Sequence, residues 1–294
     1  MRTERLYSMS SIGDSENKYL IDIEEGAETA RLLEQNLLYN RAQGGLFPQG
    51  LDLGPIQSIL DIGCGPGGWA LEVAYAYKHF GVVGIDINAA MIRYAFAQAR
   101  TRKLQNVSFE VMDATQTLDF PDNSFDLINT RFVASFMTRE TWPELVRECM
   151  RLLKPGGIIQ MTEMEIGISN SAAIERLNSY IYQSMYKQKR NFSVDGRSIG
   201  IVNMLGKLLQ QVGCINIGTH AFTMDSSFGA ELHYSAIKDM ELLYPLIKPY
   251  LVRSDVVDEF TFDADYATMG TDVMRNDFVS ISFGLTAWGY KATS

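Results

Sequence analysis

Ser58-Ile-Leu-Asp-Ile-Gly-Cys-Gly-Pro-Gly-Gly-Trp69 is the stretch that decides the fold. Ile59, Leu60 and Ile62 form a short apolar run suited to a buried parallel strand. The glycines after it must turn the chain sharply into a helix beginning near Trp69. Gly63 and Gly65 lack Cβ atoms, so the backbone can bend there and approach a nucleotide closely, and the free N–H groups of the next helix face the same place. Gly63, Gly65 and Gly68 also satisfy Gly-x-Gly-x-x-Gly, which keeps an NAD-dependent oxidoreductase in view.

Two carboxylates sharpen the reading. Val82-Val83-Gly84-Ile85-Asp86 reads as a second buried strand ending in an acid, where a ribose hydroxyl pair wants acceptors. Asp86 suits NAD and S-adenosylmethionine equally. Asp61 separates them, because a negative charge two residues before the turn favours a cationic ligand over a pyrophosphate. S-adenosylmethionine carries a sulfonium and an ammonium. With its acid, x, Gly, x, Gly, x, Gly pattern on Asp61, Gly63, Gly65 and Gly67, the stretch resembles motif I of the class I S-adenosylmethionine-dependent methyltransferases. The resemblance covers about Ile56–Glu165. It implies a Rossmann-like α/β fold whose seven-stranded sheet has five leading parallel strands and an antiparallel last one.

Length, charge and cysteines bound the alternatives. A chain of 294 residues without a Pro/Ser-rich linker is expected to be one methyltransferase domain over 56–294, preceded by an N-terminal helical segment over 1–55 that covers the cofactor site. Lid insertions are expected at about 166–198 and 225–277. The formal charge of −9 disfavours nucleic acid as a partner. Three scattered cysteines without histidines at ligand spacing suggest neither a disulfide framework nor a metal site, and fit a reducing cytoplasm. No run of about eighteen apolar residues occurs, so no membrane span is expected. A homo-oligomer stays open.

Along the chain, Asp22 and Glu25 mark a helix start and Gly44-Gly45 its stop. The family resemblance lays this helix across the cofactor mouth, with Tyr19 either touching the methionine end or simply packed on the helix. Val107, Phe109 and Val111 alternate as a third strand leading to Asp113 and Ala114. By resemblance Asp113 reads the adenine amino group; a loop-initiating aspartate is the alternative. The same resemblance adds Ile87 and Asn129 to the cofactor set.

Phe120-Pro-Asp-Asn-Ser-Phe-Asp126 turns the chain into a fourth strand that ends at Asn129-Thr-Arg131. Arg131 is placed to touch substrate or cofactor, or to bond a loop carbonyl or carboxylate. Thr141-Trp-Pro-Glu144 reads as a capping box. Ile128–Val133, Trp142-Pro143 and Leu153-Lys-Pro-Gly-Gly157 resemble a narrower group of small-molecule and secondary-metabolism methyltransferases. On the fifth strand Glu163 and Glu165 share one face, as bases, substrate anchors or arginine partners; Glu165 is taken forward as the substrate contact.

After Gly167 come aromatic and methionine-rich helices, expected over Ser171–Lys189 and about Gly229–Tyr244. His233, just past the sixth strand, is the candidate proton acceptor, with a place in the lid's core as the alternative. The function expected is methyl transfer from S-adenosylmethionine to a small hydrophobic or aromatic acceptor. A regulator that binds the cofactor without catalysis is the other reading.

Overall fold

In a computed structural model that describes residues 26–293, β1 (Ser58–Ile62) lies at the centre of the sheet, its apolar side chains buried on both faces. β2 (Gly81–Asp86) and β4 (Phe125–Arg131) pair with it in parallel on either side, with Leu60 opposite Val83 and Ile128. The remaining strands are β3 (Val107–Val111), β5 (Leu153–Ser169), β6 (Ile215–Asp225) and β7 (Ser280–Tyr290). Their order is β3-β2-β1-β4-β5-β7-β6, and β7 alone runs against the direction of the other six. This is the Rossmann-like sheet that the sequence predicts. Strand order reverses between β1 and β4, which opens a crevice at their carboxyl ends.

The helices are α1 (Gly26–Gln43), α2 (Gly68–Ala76), α3 (Ala89–Thr101), α4 (Thr141–Leu152), α5 (Ala172–Lys187), α6 (Leu205–Gln211), α7 (His233–Arg253) and α8 (Glu259–Asp272). One sheet face packs on α2 and α3 through Trp69, Leu71, Val73 and Ala99. The other packs on α4 and α6 through Trp142, Leu145, Leu205 and Leu209. A separate apolar core joins α5, α7 and α8, where Leu177, Ile181, Tyr244 and Phe262 meet above the carboxyl ends of the strands. α1 packs against α7 and β6, so it closes the crevice from the other side.

Local chemistry sets several boundaries. Asn88 caps α3 by accepting from the amides of Ala90 and Met91, and Ser171 caps α5 by accepting from Ile174. The capping box of α4 lies three residues earlier than the sequence suggests. Thr138 Oγ1 accepts from Thr141 N at 3.2 Å, Thr141 Oγ1 accepts from Thr138 N at 2.9 Å, and Trp142 N donates to the Thr138 carbonyl. Two threonines thus take the roles expected of Thr141 and Glu144. β5 runs on to Ser169, because β7 pairs with it that far.

Candidate active site

The turn after β1 has backbone that only glycine adopts without strain. Gly63 lies at φ +70°, and a Cβ there would meet Val133 Cγ1 at 3.2 Å. At Gly67, φ is +81° and a Cβ would lie 2.8 Å from the Ala95 methyl. Asp86, at the end of β2, holds this turn: its Oδ2 accepts from Gly65 N at 2.9 Å and its Oδ1 from Asn88 N at 2.8 Å. Burial raises the Asp86 carboxyl above its ordinary range, and the two amides partly offset that.

Asp61 is the buried charge beneath the turn. It is 3% exposed, and burial pushes its carboxyl up to about 7 against the hydrogen bond from Asn129 and the nearby Arg131. Arg131 is half-buried; desolvation lowers its guanidinium to about 10. Its Nη1 donates to Asn40 Oδ1 at 3.0 Å and Asn36 Oδ1 at 3.3 Å on α1, while Nε finds no partner among the described residues.

These groups line a cavity of about 1190 Å³, counting the part open to solvent. Of the cofactor set expected from the sequence, Asp61, Gly63, Gly65, Asp86, Ile87, Asp113 and Ala114 line this one cavity. Asp113 Oδ1 accepts from the amide and hydroxyl of Thr115, which fixes its loop at the cavity edge. Two corrections follow. Asn129 is fully buried behind Asp61 and does not line the cavity, so it orients the aspartate rather than a ligand. Arg131 borders this cavity and not the neighbouring one, which removes the substrate contact expected of it and keeps the cofactor alternative. Tyr19 lies outside the described residues.

A second cavity, of about 1230 Å³ on the same measure, opens beside the first. Ile181, Met185, Met240, Leu243 and Ile247 from α5 and α7 supply its apolar wall. Gln35, Tyr39, Phe132 and Ser135 border both cavities. Phe132 sits in the left-handed region at φ +57°, immediately past β4, with its ring 4.5 Å from that of Tyr39. The sequence reading misses this junction, since α1 and a strand end share no local spacing.

Glu163 and Glu165 also line the second cavity, but among the described residues neither bonds an arginine. Glu163 Oε1 accepts from the amides of Val133 at 2.7 Å and Ala134 at 3.2 Å. Glu165 accepts from Ile199 N at 2.8 Å and Gly200 N at 2.7 Å, so both its oxygens hold a loop. His233 lines neither cavity. Its Nδ1 pairs with the Ser226 carbonyl at 2.9 Å, and its ring packs edge-on against Phe228 and Phe278. That geometry gives it a packing role at the start of α7 and does not provide the expected proton acceptor.

The chain's similarities agree with this site. The family described as "Methyltransferase domain" matches residues 59–157. The N-methyltransferase sirN of Leptosphaeria maculans is 31% identical over 209 residues, covering 69% of this chain and 68% of that protein. This chain is a class I S-adenosylmethionine-dependent methyltransferase. The methyltransferase is also 41% identical over 113 residues to a phosphoethanolamine N-methyltransferase of Triticum aestivum, covering 38% of this chain and 21% of that one. It thus matches about a fifth of that relative's length. Among solved structures, phosphoethanolamine N-methyltransferase 2 of Haemonchus contortus, in complex with phosphomonomethylethanolamine and S-adenosylhomocysteine, shares the fold: TM-score 0.52 at 19% identity, covering 91% of this chain and 57% of that one. No helix among the described residues of the methyltransferase is long and apolar enough to cross a membrane.

Proposed function

We propose that this methyltransferase methylates a small acceptor of hydrophobic or aromatic character, held in the second cavity. The observation that carries the reading is the shared border: the glycine-turn cavity and the apolar cavity meet at Tyr39, Phe132 and Ser135. S-adenosylmethionine supplies an electrophilic methyl group on a sulfonium.

The residues of the first cavity fit that cofactor. Asp61, Asp86 and Asp113 present three carboxylates to a nucleoside bearing two positive charges, where a pyrophosphate would be repelled. Asp86 is placed for the ribose, Asp113 and Ala114 for adenine, and Asp61 for the cationic methionine end. The unpartnered Nε of Arg131 offers a donor for the methionine carboxylate. Phe132 and Tyr39 then confine the line between sulfur and acceptor. Aligning two reactants and excluding water supplies much of the rate in such a displacement. The N-methyltransferases among the relatives favour nitrogen as the atom methylated.

The test is incubation of the protein and trideuteromethyl-labelled cofactor with a fractionated cell extract, read by mass spectrometry. The reading expects label in a small apolar molecule. Label confined to protein or RNA would overturn it.

A further inference from the structure

We propose that the second cavity takes an amine in its protonated form and that Glu163 removes the proton before methyl transfer. The inference rests on the second cavity being the acceptor site and goes on to name the acceptor's chemistry. Its first support is a charge count. Glu163, Glu165 and Asp239 line the cavity, against a single cation among the described residues, Arg31. Arg31 is 3% exposed and is bound by both oxygens of Glu28, at 2.7 and 2.8 Å, and by Asp239 Oδ1 at 2.8 Å. A phosphate or carboxylate on the acceptor would enter a field with a surplus of negative charge. An ammonium would complete it, while Ile181, Met185 and Met240 receive an apolar body.

The second support singles out one carboxylate. Asp239 is held by Arg31 and Gln35, and Glu165 spends both oxygens on the amides of Ile199 and Gly200. Glu163 makes both of its bonds with Oε1; Oε2 makes none among the described residues. The amides it holds begin the turn that follows Phe132 and ends at Ser135, two residues that border both cavities. Val133 of that turn packs against the glycine motif at Gly63. Glu163 is therefore fixed beside the place where the two reactants meet, with one oxygen to spare.

Burial and the charge of Glu165 push the Glu163 carboxyl up to about 8 in the free protein, and an ammonium bound at Oε2 draws it back to the ionised form that takes the proton. Tyr39 and Arg31 on α1, Asp239 and Tyr244 on α7 and Glu165 on β5 face the same space. In the reaction, R–NH₃⁺ gives a proton to Oε2 and keeps the N–H bonding pair as a lone pair. The nitrogen then bonds the methyl carbon as the C–S bond breaks, its electron pair remaining on sulfur. The product R–NH₂–CH₃⁺ carries the charge that sulfur has lost, and Glu163 returns its proton to solvent.

The experiment is calorimetric titration of the protein loaded with S-adenosylhomocysteine, using phenethylamine, 3-phenylpropanol and 3-phenylpropionate as probes. The amine should bind about ten-fold or more tightly than the acid. Glu163→Gln keeps a carbonyl oxygen for the Val133 and Ala134 amides, so its thermal midpoint and S-adenosylhomocysteine affinity should hold while the amine loses about ten-fold. No binding of the amine, no preference for it over the acid in the parent, or equal amine affinity in Glu163→Gln overturns the inference. The parent's preference decides even if the variant does not fold. Failure of S-adenosylhomocysteine to bind the parent would instead count against the proposed function.

Discussion

Asn129 aims Asp61 at the cofactor turn: its Nδ2 donates to Asp61 Oδ1 at 2.8 Å, and Gln160 Nε2 in turn donates to Asn129 Oδ1 at 3.0 Å. Three neighbouring strands, β1, β4 and β5, each supply one member of this buried chain. It fixes one carboxylate oxygen from behind, as a positioned charge requires.

Asp61 makes cofactor binding pH-dependent. Its carboxyl lies near 7 in the folded protein, above the ordinary 3.8, so the free protein holds it protonated below that pH and ionised above. A cationic ligand binds the ionised form. S-adenosylmethionine affinity should rise with pH up to about 7, by at most about ten-fold per unit, and calorimetry at pH 6 should record proton release. Asp61→Asn should remove that part of the slope and leave only the share due to Asp86. For folding the sign is opposite: the raised carboxyl favours the fold below about pH 4, and that contribution is lost as pH climbs toward 7.

Phe132 separates strain from packing. At φ +57° a side chain costs about 1–2 kcal/mol, which glycine does not incur. Phe132→Ala keeps the strain and loses the ring contact with Tyr39, whereas Phe132→Gly loses the contact and is relieved of the strain as well. Denaturant titration should find the glycine variant more stable than the alanine variant by about 1 kcal/mol. Equal stability, or the reverse order, would mean that the turn relaxes when the ring is removed.

Arg31 ties α1 to α7 through buried charge. Glu28 is fully buried and Asp239 13% exposed, so Arg31→Met takes the guanidinium away from two carboxylates. The loss should be roughly 3–5 kcal/mol by denaturant titration. Asp239→Asn should cost less, because Arg31 keeps Glu28. Matching losses from the two variants would show that the Glu28 pair contributes little.

His233→Ala should lower the thermal midpoint and leave S-adenosylhomocysteine affinity within two-fold, roughly, since the ring packs between Phe228 and Phe278 outside both cavities. Lost cofactor affinity without lost stability would place the imidazole in the site after all.

The cavity at the glycine turn is legible in the sequence because its geometry is local: strand, glycine turn and helix follow one another over Ser58–Ala76, and Asp86 and Asp113 each close or follow a strand. The second cavity is not. Its lining comes from α1, the Phe132–Ser135 turn, β5, α5, α7 and β7, and no spacing along the chain brings Tyr39 to Phe132 or Arg31 to Asp239. Glu163 and Glu165 show the same limit. Period two places both on one face, but only the fold reveals that one uses both oxygens on backbone amides and the other one. α8 escapes the sequence reading because Glu259–Asp272 buries only Phe262, Asp265 and Met269, too narrow a stripe to stand out.

The most direct test of the account is a crystal structure of the protein with S-adenosylhomocysteine. The account predicts adenine beside Asp113 and Ala114, the ribose on Asp86, the amino group beside Asp61, and the sulfur at Phe132 and Ser135 facing the cavity of Ile181, Met240 and Glu163. A sulfur turned to solvent, or walled off from that cavity by the main chain of residues 132–135, would contradict it.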